Sequence, residues 1–152
     1  MTQTTRSQLR TALAIHLAEA NLARYDESEK YPTGDDPVRP AVFLRAVMPD
    51  TPDAAVTISV IDDRRDRDAH NPDFTVRLRF RGTGRSARAV DDPADAVFNH
   101  LHTFEPTADR QRWPGGVNVL TCFRTVSTES TPDTTGRYMR ADTYRITLNP
   151  GD

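Results

Sequence analysis

The sequence predicts an α+β fold: a mainly antiparallel sheet of about five strands with two helices packed on one face, in the order α-β-β-β-α-β-β. Residues 74–81 alternate strictly between apolar and polar side chains, which is typical of a strand with one buried face. Residues 7–24 and 92–101 carry apolar side chains at helical spacing. Four other apolar or alternating stretches supply the remaining strands.

The first helix is predicted over residues 7–24, with Ser7 as its N-cap. Its apolar stripe is narrow, as expected for a helix that lies on a sheet, and consists of Leu9, Leu13, Leu17 and Ala20. Residues 25–40 are polar and contain three prolines and Gly34. This composition predicts an irregular linker or arm, which is also a candidate partner-binding loop.

Two short strands are predicted over residues 41–48 and 56–61. Residues 49–53 have the composition of a turn, so we expect these strands to form a hairpin. A charged loop rich in Arg and Asp covers residues 62–73. The strand at 74–81 is expected to pair with 56–61 and to extend an antiparallel meander.

The second helix is predicted to begin at Asp92, with Pro93 at its first helical position and Asp95 near the positive end of its dipole. Residues 105–116 are predicted to form a loop. The strand at 117–126 is apolar on both faces, which predicts a place in the interior of the sheet. It is expected to pair with the last strand, 138–148, across a polar loop.

Composition narrows the function classes. The length of 152 residues predicts one domain over residues 1–152, and the net charge of −2 gives no overall attraction to nucleic acid or acidic lipid. Cys122 is the only cysteine, which excludes an internal disulfide and a multi-cysteine zinc site. The sequence has no run of about 20 apolar residues for a membrane span and no recognisable signal peptide, so synthesis in the cytoplasm is expected.

Three arginines, Arg77, Arg79 and Arg81, are predicted to lie on one face of their strand, about 6.7 Å apart. They indicate either a surface for an anionic partner or a solvated face with salt bridges to the acidic residues of 62–68. No aromatic residues alternate with them, which favours a protein partner over single-stranded nucleic acid. Trp113 is either a seal at the edge of the core or an interface anchor.

The sequence predicts no catalytic, cofactor or metal site, and therefore no enzyme. Gly82-Thr83-Gly84 lacks the rest of a phosphate-binding motif and predicts a turn. His100 and His102 point to different sides of a helix, so they make a poor chelating pair. Cys122 is expected to be a buried structural thiol, with a Cys–His nucleophile pair as the alternative.

The sequence contains a series of short motifs. Each motif alone indicates little, but their order and spacing together are more specific. It comprises PAVFL at 40–44, MPDTPD at 48–53, RGT at 81–83, VDDPADAVF at 90–98, GGV at 115–117 and GRYMRADTY at 136–144. From 41 to 148 this series resembles the tail terminator or minor capsid proteins of long-tailed bacteriophages, especially those of actinobacteria.

The resemblance implies a structural subunit of the virion at the tail–neck junction, assembled in the host cytoplasm. Such subunits form a ring, expected to be a hexamer, that caps the tail tube, stops its polymerisation and meets the head–tail connector protein. DNA only passes through the ring. A head-side connector or stopper protein is the alternative, and a nucleic-acid-binding domain that uses the arginine face is a further one.

Overall fold

The computed structural model describes residues 3–32, 36, 39–68, 70–104 and 111–149. These residues form two helices and a seven-stranded sheet, which confirms the predicted α+β class and adds two short strands. No helix among them is long and apolar enough to cross a membrane. The elements in chain order are α1 (Arg6–Glu19), β1 (Ala41–Phe43), β2 (Ala55–Asp63), β3 (Asp73–Arg81), α2 (Arg88–Leu101), β4 (Gln111–Trp113), a 3-10 turn (Pro114–Gly116), β5 (Val117–Ser127), β6 (Thr131–Pro132) and β7 (Tyr138–Leu148).

The strand order is β1-β2-β3-β7-β5-β4, and β6 pairs with one end of β7. The predicted antiparallel pairing of β2 with β3 is confirmed, with Ile58 opposite Leu78. The predicted pairing of β5 with β7 is also confirmed, with Cys122 opposite Ile146. β7 therefore lies at the centre of the sheet, between β3 on one side and β5 on the other.

The predicted hairpin of the first two strands is wrong. β1 ends at Phe43 and pairs with β2 in parallel, with Val42 opposite Val56. Residues 44–54 do not turn back directly, because side chains of β3 hold their backbone carbonyls. Arg79 donates to the Ala46 carbonyl at 3.2 Å, and Arg81 donates to the Asp53 carbonyl at 2.8 Å.

Both helices begin earlier than predicted. The N-cap of α1 is Thr5 instead of Ser7, and Thr5 forms a reciprocal capping box with Gln8. The helix ends at Glu19, before the predicted Arg24, because Asn21 takes a left-handed conformation with φ of 59°.

α2 begins at Arg88, so Pro93 lies inside the helix and not at its start. A proline there cannot donate to the carbonyl of Ala89, four residues earlier. The backbone of Gly82 approaches this same carbonyl closely: a Cβ at position 82 would lie 2.7 Å from the Ala89 oxygen. Glycine at 82 therefore permits the start of α2 to lie against the end of β3.

The predicted interior position of β5 holds only for its first residues. β4 pairs only with Val117–Val119. Beyond these residues, the edge of β5 that faces away from β7 has no neighbouring strand among the described residues. Thr103 covers part of this edge by exchanging hydrogen bonds with the backbone of Cys122. The predicted loop at 105–116 contains β4 and the 3-10 turn, and its residues 105–110 lie outside the described residues, as do parts of the predicted arm.

The main core lies between the helices and one side of the sheet, which we call the inner face. Both helices pack there, as predicted, through buried side chains such as Leu13 of α1 and Val97 of α2 against Leu78 and Ile146. We call the opposite side of the sheet the outer face. No helix of the described chain covers it, and a smaller cluster around Phe43 occupies only its β1 end.

Candidate protein interface

The centre of the outer face carries Arg77 and Arg79. The strand register places Arg77 between Ser59 of β2 and Thr143 of β7, and Arg79 between Thr57 and Ala141. Successive side chains of a strand alternate between faces, so the buried Val76 and Leu78 of β3 direct these arginines away from the core.

The side chain of Arg77 is exposed and has no hydrogen bond or ion pair to any residue that the structure describes. Arg79 is partly exposed, and its hydrogen bond is to the neutral carbonyl of Ala46. The salt bridges considered for this face are made elsewhere: Asp62 pairs with Arg64, and Asp63 pairs with Arg6 and Arg65. Two cations on the outer face therefore lack a carboxylate partner within the described chain.

Arg81, the third arginine of the row, is only 4% exposed. Its guanidinium donates to the carbonyls of Pro52 at 2.7 Å, Asp53 at 2.8 Å and Asp50 at 3.3 Å. Burial, and then the charge of Arg137, lower the pKa of Arg81. In this structure Arg81 fixes the connection between β1 and β2 and offers no surface, so only Arg77 and Arg79 of the three arginines present charge on the outer face.

Trp113 is 3% exposed and seals the edge of the core. Its indole stacks on the imidazole of His16, with ring centroids 4.8 Å apart. His16 Nε2 lies 3.1 Å from His100 Nε2, so the two imidazoles join α1 to α2 through one shared hydrogen bond. Burial, and then the charge of His100, lower the pKa of His16 to about 4, so His16 is neutral at pH 7.

Three exposed apolar side chains were not predicted, two of them on the side of the arginines and one beyond the end of α2. Val126 is 57% exposed and lies opposite Thr143 on the outer face. Val47 is 72% exposed and belongs to the connection that Arg79 holds. Phe104, 64% exposed, stacks edge-on against Phe98 of α2 at 5.5 Å. Exposed apolar side chains close to arginine are typical of protein–protein interfaces.

A buried ion cluster supports this sheet from the inner face. Arg140 and Asp142 of β7 lie there, 8% and 0% exposed. The Arg140 guanidinium forms a bidentate pair with Asp142, at 2.9 and 3.0 Å. It also contacts Asp91 at 3.2 Å and Asp95 at 2.9 Å, both on α2. The cluster therefore fixes α2 to the central strand of the sheet.

The protonation state of the cluster follows from its contacts. Burial alone would lower the pKa of Arg140, but the hydrogen bonds and charges of Asp142, Asp95 and Asp91 outweigh burial and raise it. Arg140 is therefore a permanent cation. Sequence inspection missed it, although Arg140 and Asp142 continue the alternation of Tyr144, Ile146 and Leu148 and so occupy positions of the buried face.

The structure gives no support to nucleophilic or metal chemistry at the residues considered. Cys122 is fully buried, and burial raises the pKa of its thiol to about 12, which keeps it protonated at neutral pH. Within the described ranges, no group of three or more His, Cys, Asp or Glu side chains is arranged to hold a metal ion.

Comparison with known proteins gives one family. A family model described as bacteriophage tail terminator protein matches residues 16–150. No curated protein matches the chain significantly.

Proposed function

The chain belongs to the bacteriophage tail terminator family. From this premise we propose that it forms a hexameric ring on the end of the tail tube, which ends tube polymerisation and joins the tube to the head connector. Membership of this family indicates that the chain is a structural protein of the phage particle and interacts with other tail or head proteins. The ring, its six subunits, its position at the neck and its assembly in the host cytoplasm are our proposal. So is the role of residues 1–152 as a single terminator domain without catalysis.

The uncovered outer face is the observation that carries this proposal. A two-layer α+β subunit normally buries one face of its sheet under helices and leaves the other to solvent or to a partner. Here that other face carries Arg77, whose side chain has no partner in the described chain, and exposed Val126 two strands away. Arginine and exposed apolar side chains on one face are typical of a surface that binds protein.

The arginines suit a protein contact better than the lumen of the ring. DNA must pass through a tail terminator ring, and cations that face the lumen would bind its phosphates and hinder its passage. We therefore place Arg77 and Arg79 against a neighbouring subunit, the tube protein or the connector. The arm at 25–40 is the second proposed contact.

Electron microscopy of a phage deleted for this gene tests the role in the tail. We expect overlong tubes without heads, because nothing ends their polymerisation. Tails of normal length beside unjoined heads would refute the terminator role and indicate a connector or stopper protein of the head. Expression of the gene from a plasmid should restore normal tails, which controls for effects of the deletion on neighbouring genes.

Charge reversal tests the surface. Arg79→Glu should reduce assembly of joined particles while leaving the melting temperature within a few degrees, because the side chain contributes only one hydrogen bond to a carbonyl within the described chain. Arg112→Glu is the control, since Arg112 is also an exposed arginine but lies on β4 at the far edge of the sheet. Normal assembly with the Arg79 variant would refute the role of Arg77 and Arg79 in a protein contact.

A further inference from the structure

The outer face and helix α2 have complementary surfaces. We propose that the exposed side of α2 in one copy of the chain docks on the outer face of the next copy, with Asp92 and Asp95 opposite Arg77 and Arg79. This inference rests on the proposed ring and names the contact that builds it. The occupant of the outer face is thus a second copy of this chain.

The charges support this pairing. The side chains of Asp92 and Asp95 are 67% and 58% exposed, although both are already partnered, Asp92 by Arg88 and Asp95 by Arg140. An exposed carboxylate can accept further hydrogen bonds, since each oxygen has two lone pairs. Arg77 and Arg79 bring two cations without any carboxylate partner in the described chain. Contact between copies would give each arginine the anion that its own chain does not supply.

The spacings match as well. Arg77 and Arg79 are two residues apart on a strand, which separates them by about 6.7 Å. Asp92 and Asp95 are three residues apart on a helix, which places their Cβ atoms about 5–6 Å apart on one side. Two long arginine side chains accommodate a difference of about 1 Å, so both pairs can form at once.

Exposed apolar side chains occur on the outer face and near the C-terminal end of α2. On the outer face, Val126 lies opposite Thr143, which is itself the neighbour of Arg77. Beyond the C-terminal end of α2, Phe104 stands exposed on Phe98. Burial of such side chains on association adds a favourable term that the ion pairs alone do not give.

The geometry of the contact agrees with a ring. The two surfaces differ and lie on opposite sides of the subunit, so the contact is head-to-tail, and head-to-tail contacts close into rings when their rotation permits. Each contact would also cover an open sheet face with a helix, which repeats between copies the packing that each copy uses in its own core.

A charge swap tests the contact. In a phage deleted for this gene, we expect chains with Arg77→Glu or Asp92→Arg to lower the titre of infectious particles at least about tenfold, because like charges meet in the interface. The chain with both changes should restore the titre to near the wild-type level, since each reversed charge again meets its opposite in the next copy. Arg112→Glu should leave the titre unchanged.

Single variants that assemble normally would overturn the inference, and so would a double variant no better than the worse single one. A cysteine pair gives a second measurement if a charge variant fails to fold. With Arg77→Cys and Asp92→Cys, oxidation should link copies into a ladder of multimers, and buried Cys122 should not interfere. Absence of linked multimers in assembled particles would also overturn it. If deletion of the gene leaves tail length normal, the terminator role fails, whereas the swap still reports on the contact.

Discussion

Removing the negative charge of Asp142 should destabilise the fold strongly. In Asp142→Asn, the guanidinium of Arg140 stays buried but loses the carboxylate that it binds at 2.9 and 3.0 Å. Breaking a buried ion pair in this way costs about 3–5 kcal/mol. Asp91 and Asp95 still contact Arg140, so we expect the lower end, about 3 kcal/mol. For a chain of this length that is a decrease in melting temperature of roughly 6–12 °C.

Chemical denaturation followed by circular dichroism measures this free energy of unfolding, and calorimetry gives the melting temperature. The matched control is Arg145→Ala on the same strand. Arg145 pairs with Asp73, but its side chain is 56% exposed, so its loss should cost no more than about 1 kcal/mol. The two positions lie on the same strand, only three residues apart, and differ in burial. We therefore attribute the large expected difference in the free energy of unfolding to burial.

Equal effects of the two substitutions would refute the reasoning, since the ion cluster would then contribute no more than an exposed pair. A double variant, Arg140→Met with Asp142→Leu, distinguishes the cost of losing the ion pair from the cost of leaving one buried charge unpaired. It removes both charges together, so it should destabilise the protein less than Asp142→Asn does.

Three further predictions concern the interior. Gly82→Ala should lower the free energy of unfolding by about 1–3 kcal/mol or more, because its Cβ would lie 2.6 Å from the backbone of Ala89; thermal denaturation measures this. Thr57→Val should raise it by about 1 kcal/mol in denaturant titrations, because the buried Thr57 hydroxyl has no hydrogen-bond partner among the described residues and valine keeps the shape of the side chain. Stability should fall as the pH decreases from about 6.5 towards 4, because the pKa of His16 is lowered to about 4 in the fold and the unfolded chain therefore binds the proton first. His16→Gln should flatten this part of the profile, and an unchanged slope would contradict the assignment.

Periodicity predicted the strands whose two faces differ in chemistry. β3 and β7 alternate between apolar and polar residues over most of their length, so their extent and burial followed from the sequence. The direction of β1 did not follow, because a turn-like composition between two strands does not distinguish a hairpin from a longer connection. The interactions that select the connection come from Arg79 and Arg81, which lie far along the chain.

Alternation also explains what sequence inspection missed at the site. It places Arg77, Arg79 and Arg81 on one face, but it does not show that the backbone of residues 50–53 covers the last of them. In the same way, alternation places Arg140 and Asp142 on the inner face, but it does not show that Asp91 and Asp95 of α2 lie against them. Partners distant in the chain decided burial in both cases.

The central place of β7 has a consequence for synthesis on the ribosome. β3, β5 and β6 all pair with β7, which follows them in the chain. A nascent chain can form the β2–β3 hairpin early, yet β3 and β5 keep open edges until residues 138–148 have emerged. Open edges invite pairing with other chains, so the sheet is vulnerable to aggregation for most of translation and is completed only near the end. Slow translation before β7 would prolong that period, whereas slow translation after it would not.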